Sequence, residues 1–211
     1  MLNGGIVPFF NSSGVILYRD FSGEKNLWLK LFLKEAGLVN VTAKNSSGDC
    51  EPFLWGKFRL KKKHKTVNYF IEDFEVFDDM LALRGRKDTM FTAIKWIKLI
   101  MKFLVAGQPD DNLLANLYWS MKLLEQPHVP VEVSSWKFLW RWLESWGLAP
   151  DLVNFYTSQK FNHDEVVLLA QISLLNVKGV IDLFSEKISP NVREHSFKIA
   201  ASLAEKFLIE K

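Results

Sequence analysis

The spacing of the apolar residues changes once along this 211-residue chain, close to Phe77. Before that point apolar and polar residues alternate, which is the repeat of a β-strand buried on one face. After it the apolar residues recur every three or four positions, as on one face of a helix. The sequence therefore predicts an α+β protein in which a β domain, residues 1–80, precedes an all-α domain, residues 81–211.

Five segments with strand character, joined by turn residues, fall within about 75 residues. They cover residues 15–18, 27–32, 38–43, 51–65 and 66–76, and residues 11–13 are predicted to form a turn before the first. In the last segment the alternation slips at Glu72 and Asp73, which predicts a bulge. Five such strands are typical of a small closed barrel, of which the oligonucleotide-binding barrel (OB-fold) is the commonest. A small open sheet is the alternative.

Start and stop signals divide the second domain into helices. Asp88-Thr89 begins a long helix that Gly107 ends, and Pro109 suits the first turn of the next helix. The predicted helical segments are 78–84, 90–106, a helix begun by Pro109, one capped by Ser134 or Ser135 that runs to Trp146, and 163–175, 177–185 and 190–209.

The segment 51–65 carries a concentrated positive charge. Written as a strand, it has an apolar face with Leu54, Gly56, Phe58 and Leu60. Its other face has a cation at every second position: Lys57, Arg59, Lys61, Lys63 and Lys65. Such a row repels itself unless an anion binds, and a phosphate backbone gains affinity from each cation by releasing counterions. The alternative is a basic edge strand that resists pairing with a neighbouring molecule.

The overall charge is small, since the formal net charge is only +3. A polyanion site must therefore come from local clusters, which lie at 44–65 and 84–102. The single cysteine, Cys50, excludes an internal disulfide and a thiolate-rich zinc site, as expected in a reducing cytosol. We expect no signal peptide, and charge interrupts every apolar run before the roughly 18–20 residues of a membrane span. These features predict a soluble, cytoplasmic protein.

Motifs of catalysis are missing from the sequence. Its four histidines lack a metal-ligand spacing, and there is no phosphate-binding glycine loop or nucleophile elbow. Paired carboxylates such as Asp110-Asp111 stand at helix starts, where capping explains them. We therefore expect no enzymatic activity, no metal and no cofactor.

Two features of the helical segments indicate a partner. Trp136 and Trp140, one turn apart, are expected to pack in the core, whereas Trp142 and Trp146 lie partly off that stripe and could form an exposed aromatic patch. A second feature is a basic face on the helix 90–106, formed by Lys95, Lys98 and Lys102. The alternative is a solvated lysine face over a packed core.

Short motifs follow one another in a characteristic order. They are Gly23-Glu24 between two apolar strands, Gly37, Ala43-Lys44, Pro52-Phe53 with Gly56, and the segments 81–97, 116–125 and 138–152. Together they resemble the barrel, the linker and the helical domain of the RecO family of DNA repair proteins, over roughly residues 13–209.

Two positions depart from that family. Many members carry four zinc-ligand cysteines where this chain has Phe155 and its neighbours, so the resemblance is to a member without zinc. The loop after Ala43-Lys44 reads Asn45-Ser46-Ser47 instead of containing Gly and Arg, which weakens the DNA contact expected there. The basic segment that follows is expected to compensate.

The resemblance implies a recombination mediator without cofactors. Such a protein binds single- and double-stranded DNA, anneals complementary strands and helps to load the recombinase, working with RecR and the acidic C-terminal tail of single-stranded-DNA-binding protein (SSB). The expected DNA-binding residues are Lys44, Lys57, Arg59, Lys61, Lys62, Lys63 and Lys65. The expected tail-binding residues are Lys95, Lys98, Lys102, Trp142 and Trp146. A non-catalytic protein–protein adaptor that uses the helical domain is the alternative.

Overall fold

A computed structural model of the chain describes residues 9–21, 26–44, 50–62, 69–151, 161–185 and 191–210. The strands are β1 (Phe9–Phe21), β2 (Asn26–Leu33), β3 (Gly37–Lys44), β4 (Trp55–Lys62) and β5 (Tyr69–Asp78). The helices in the described residues are α1 (Leu81–Arg84), α2 (Lys87–Phe103), α3 (Asp111–Leu124), α4 (Val131–Ser145), α5 (His163–Leu174), α6 (Val177–Ser185) and α7 (Asn191–Glu210). The predicted α+β class, with strands first and helices after them, is confirmed.

The five strands form one sheet that closes in a ring in the order β1-β2-β3-β5-β4. All neighbours run antiparallel except β3 and β5, which are parallel. The prediction of a turn at residues 11–13 is wrong, because these residues belong to β1 and pair with β4. The long β1 serves two neighbours, β4 through Phe9–Val15 and β2 through Gly14–Phe21. Long-range pairing thus overrides the local turn preference of Asn and Ser.

The predicted bulge in β5 is confirmed. Arg59 of β4 pairs with Asp73, and the next residue, Leu60, pairs with Ile71, so Glu72 is the extra residue. The bulge shifts the inward-facing positions by one, and Ile71 and Phe74 therefore both pack against the core. The acidic side chains between them stay on the outside of the ring.

The interior of the ring is filled by apolar side chains from neighbouring strands. The predicted inward face of β4 is confirmed, since Leu54, Gly56, Phe58 and Leu60 are all buried. Gly56 is required by a close approach of β5, because a Cβ there would lie 2.6 Å from the Glu75 carbonyl oxygen. The buried core residues of the ring include Ile16, Leu27, Leu29, Leu31, Leu33, Val39, Val41, Ala43, Phe58 and Leu60.

The chain divides into two compact units. The first contains the described parts of residues 1–81 and 94–114, and the second those of 82–93 and 115–211. In the first unit the segment after α2 is bound to the sheet, since the Gly107 N–H donates a hydrogen bond of 3.0 Å to the Leu38 carbonyl oxygen. The apolar residues that recur along α3 every three or four positions are buried, apart from the half-buried Tyr118: Leu113, Leu114, Leu117, Met121 and Leu124.

In the second unit α4 packs against α7 and α5. The prediction that Ser134 or Ser135 caps α4 is wrong, because the helix begins at Val131 with Pro130 as its N-cap, and Ser134 lies buried inside it. Proline is well placed at a helix start, where no backbone N–H is needed. The helix ends at Ser145, one residue before the predicted Trp146, which is the C-cap, and Gly147 follows with a positive φ of 68° that suits a residue without a side chain.

Candidate nucleic-acid interface

The cations of β4 lie on the outer face of the ring. Lys57 and Arg59 are exposed and alternate with the buried Phe58 and Leu60, Lys61 is half-buried, and Lys62 is exposed at the end of the strand. Among the other predicted DNA-binding residues, Lys44 is the last residue of β3, and Lys63 and Lys65 lie outside the described residues. Lys57, Arg59 and Lys61 therefore form an outward row on β4, at three of the predicted positions.

On one side of this row, β1 contributes an aromatic ring. Phe9 is the cross-strand partner of Lys61 and is 42% exposed. The Arg59 guanidinium carbon lies 4.3 Å from the centre of the Phe9 ring, and the Lys61 Nζ lies 5.6 Å from it. Cations in these positions are attracted by the negative face of the ring. Sequence reasoning missed Phe9, because the first residues of the chain carry no recognisable strand signal.

On the other side of the row, β5 contributes acidic residues. Asp73 is directly opposite Arg59, and Glu75 is directly opposite Lys57, and both carboxylates are exposed. Cross-strand pairs of opposite charge stabilise a sheet by about 0.2–1 kcal/mol. The two carboxylates therefore lower the positive potential around Lys57 and Arg59. A phosphate that binds at Lys57 or Arg59 must compete with these carboxylates.

The row thus has two chemically different ends. At one end Lys57 and Arg59 face carboxylates across the strand. At the other end the cross-strand partners of Lys61 are Phe9 of β1 and Phe70 of β5. Because aromatic partners do not neutralise a cation, the Lys61 end has the stronger net attraction for an anion. Only the register of β5 reveals this difference.

The second predicted site, on α2, has the three predicted lysines but a different aromatic residue beside them. Lys95, Lys98 and Lys102 are all exposed, as their helical spacing implies. An exposed aromatic residue on the same helix is Phe91, one turn before Lys95, and the Lys87 Nζ lies 5.7 Å from its ring centre. Sequence reasoning placed the aromatic contribution on α4 and overlooked Phe91.

The predicted exposure of Trp142 is wrong. Its side chain is 0% exposed, and its ring centre lies 5.5 Å from that of Phe138 and 5.3 Å from that of Trp146. The physical reason is that α4 packs against two helices, so its buried surface is wider than a single apolar stripe. Trp146, at the end of α4, is half-buried. The predicted burial of Trp136 and Trp140 is confirmed.

One ionisable group in the second unit has a strongly altered pKa. The pKa of Lys137 is lowered from 10.5 to about 8, chiefly by burial and also by the nearby Arg141, while Glu144 opposes the shift. The Lys137 Nζ donates hydrogen bonds to the carbonyl oxygens of Ile172, at 3.0 Å, and of Leu175. Lys137 therefore closes the C-terminal end of α5, where backbone carbonyls lack helical partners.

The buried Lys137 predicts a pH dependence of stability. Between pH 8 and 10.5 the unfolded chain keeps a proton that the folded chain has released. The free energy of unfolding therefore rises as the pH increases from about 8 to 10.5. This gain from Lys137 is lost again as the pH falls back to about 8. We expect the difference between wild type and Lys137→Met to rise by up to about 1.4 kcal/mol per pH unit in urea unfolding. A difference that stays constant between pH 7.5 and 10 would contradict the shift.

In the part of the chain that the structure describes, no three His, Cys, Asp or Glu side chains are grouped so that they could hold a metal ion. No helix within the described ranges is both long and apolar enough to cross a bilayer. The chain matches no protein-family model and no curated protein. The strand order, the register and the charges of the ring therefore carry the functional proposal.

Proposed function

We propose that the protein is a non-catalytic recombination mediator of the RecO type, which binds single- and double-stranded DNA in the bacterial cytoplasm. It anneals complementary strands and helps to load the recombinase onto DNA that is coated with SSB. The observation that carries this proposal is the outward row of cations on β4, with an exposed aromatic ring in register beside it.

The fold supports a nucleic-acid-binding role. We take the ring of five strands to be an OB-fold, because that barrel is five-stranded and β3 and β5 pair in parallel here. OB-folds bind oligonucleotides on the face of strands 2 and 3 and with the loops between strands 1 and 2 and between strands 4 and 5. The segments between these strands here, residues 22–25 and 63–68, lie outside the described residues. The predicted Lys63 and Lys65 fall within the second of these segments.

The surface chemistry supports a polyanion as the ligand. Cations that neutralise phosphates release counterions, which gives binding that weakens steeply with salt. At the Lys61 end of the row the cross-strand partners are aromatic, so the binding energy can come from both phosphate contacts and ring contacts. Such contacts are independent of sequence, as annealing of arbitrary strands requires.

The lysine face of α2 is the proposed docking site for the SSB tail. An acidic peptide with apolar residues at its end is complementary to exposed lysines with an aromatic side chain nearby. Lys95, Lys98 and Lys102 provide the charge, and Phe91 replaces the buried Trp142 as the aromatic contact. RecR is proposed as a further partner, and no described surface is assigned to it.

We expect a fluorescent acidic tail peptide to bind wild type at low salt and to bind the Lys95→Ala, Lys98→Ala, Lys102→Ala variant at least about 10-fold more weakly, since rim charges steer and orient the peptide. The aromatic contact is tested by Phe91→Ala, with Phe21→Ala of β1 as the control, because both rings are exposed. Equal affinity of the triple variant and wild type would place the tail elsewhere.

A non-catalytic adaptor is the second candidate. Val167 and Leu174 are both exposed and lie on one face of α5, two turns apart, which favours an apolar protein contact there. The two functions differ in their salt dependence, because phosphate contacts are lost steeply as salt rises and apolar contacts are not.

The deciding experiment is a titration with single-stranded DNA at two salt concentrations, followed by an assay of strand annealing with SSB-coated strands. We expect affinity to fall by at least about 10-fold between 50 and 200 mM salt, since each phosphate contact adds about 0.7 to the logarithmic slope for single strands. Annealing should be faster than the uncatalysed reaction. Absence of DNA binding at 50 mM salt would favour the adaptor.

A further inference from the structure

The cross-strand register connects outward residues of all five strands into one row. Phe9 of β1 pairs with Lys61 of β4, and Lys61 pairs with Phe70 of β5. Phe70 pairs with Thr42 of β3, and Thr42 pairs with Trp28 of β2. We name these five residues the aromatic row. Three of its five members carry aromatic rings, and a cation lies between two of them.

All five members lie on the outer face, because the residues beside them in sequence point into the core. Leu27 and Leu29 are buried on either side of Trp28, and Val41 and Ala43 on either side of Thr42. On the other strands the inward neighbours are Phe10 of β1, Leu60 of β4, and Tyr69 and Ile71 of β5. Trp28 is 41% exposed and Phe9 is similar, while Phe70 is half-buried.

The row is long enough to contact several nucleotides. Neighbouring strands lie about 4.8 Å apart, so four steps from Phe9 to Trp28 cover about 19 Å across the strands. The row runs perpendicular to the strands, which keeps its members on one continuous strip of the surface. Lys61 is within the strip, and Arg59 lies against the Phe9 ring at its edge.

We infer that the aromatic row is a stacking platform for the unpaired bases of single-stranded DNA, so that the protein prefers single strands to duplex. This inference rests on the proposed function and specifies its ligand. Every base has a flat face that can stack on an aromatic side chain without sequence preference. The bases of a duplex are already stacked on one another, so only an unpaired base can use the row.

Charge along the row favours a polyanion that lies across the strands. Lys61 is its only charged member, and Arg59 contacts the Phe9 ring next to it. At the far end the partner of Trp28 on β1 is Asp20, which repels phosphate there. We therefore expect the phosphates to follow the Lys61 end, and the base that stacks on Trp28 to be held mainly by its ring.

The test compares a single strand with an abasic strand of equal length, which keeps the phosphates and lacks the bases. Wild type should bind the base-carrying strand more tightly than both the abasic strand and a duplex. Trp28→Leu and Phe70→Leu keep the apolar cover and remove the ring. Each should weaken binding of the base-carrying strand about 5- to 100-fold and leave the abasic strand within about 2-fold.

Two variants serve as matched controls. Trp119→Leu removes a tryptophan on α3 that is somewhat more exposed than Trp28, and Phe77→Leu removes an exposed phenylalanine from the other end of β5. Both should bind like wild type. The aromatic row is not a stacking platform if wild type binds the base-carrying and abasic strands equally, or if the row variants and the control variants bind alike. In either case DNA binding through phosphate contacts is not contradicted. If neither strand binds wild type at low salt, the proposed function itself fails.

Discussion

Replacing Lys57, Arg59 and Lys61 together by alanine should weaken binding of single-stranded DNA by about 100-fold at 0.1 M salt. Each lost phosphate contact lowers the logarithmic salt slope by about 0.7, so three contacts remove about 2 from the slope. The three side chains face outward from β4, and their removal leaves the buried Phe58 and Leu60 untouched. The measurement is a titration at several salt concentrations, from which both affinity and slope are read.

The matched control replaces three exposed lysines of the helical part, Lys178, Lys198 and Lys206, by alanine. It changes the net charge equally and should move the salt slope by less than about 0.7. A complementary variant, Asp73→Asn with Glu75→Gln, removes the carboxylates opposite Arg59 and Lys57 and should strengthen binding. An unchanged slope in the β4 triple variant would show that DNA contacts another surface.

Truncating Trp142 should lower the free energy of unfolding by about 3–5 kcal/mol, the usual cost of replacing a buried large aromatic residue by alanine. Its side chain is completely buried and contacts the rings of Phe138 and Trp146 on α4. Truncation to alanine would leave a cavity in a closely packed interior. The measurement is urea unfolding of wild type and Trp142→Ala at pH 7.

The control for this prediction is Trp119→Ala on α3, where the side chain is 55% exposed. Surface truncations usually change stability by less than about 0.5 kcal/mol. If Trp142→Ala were as stable as wild type and bound an acidic tail peptide more weakly, Trp142 would be a binding residue after all.

Local patterns in the sequence determined the elements and their buried faces. The alternation around Phe58 and Leu60 is enough to separate the core face of β4 from its charged face, because successive side chains of a strand point to opposite sides. The spacing of Leu113, Leu117 and Met121 defines the buried stripe of α3 in the same way. The phase slip at Glu72 located the bulge in β5. Each of these features depends on neighbours a few residues away.

The pairing between distant segments determined the rest. Asp73 and Glu75 lie opposite Arg59 and Lys57 only because β5 pairs with β4 in one register, and a shift by one residue would turn these side chains to the other face. Phe9 reaches Lys61 because the first residues of β1 complete the ring, which no local propensity indicates. Trp142 is buried in a helix, α4, that packs against two helices from later in the chain. Register and burial depend on which segments meet in the folded chain, and a single sequence carries no local signal for that.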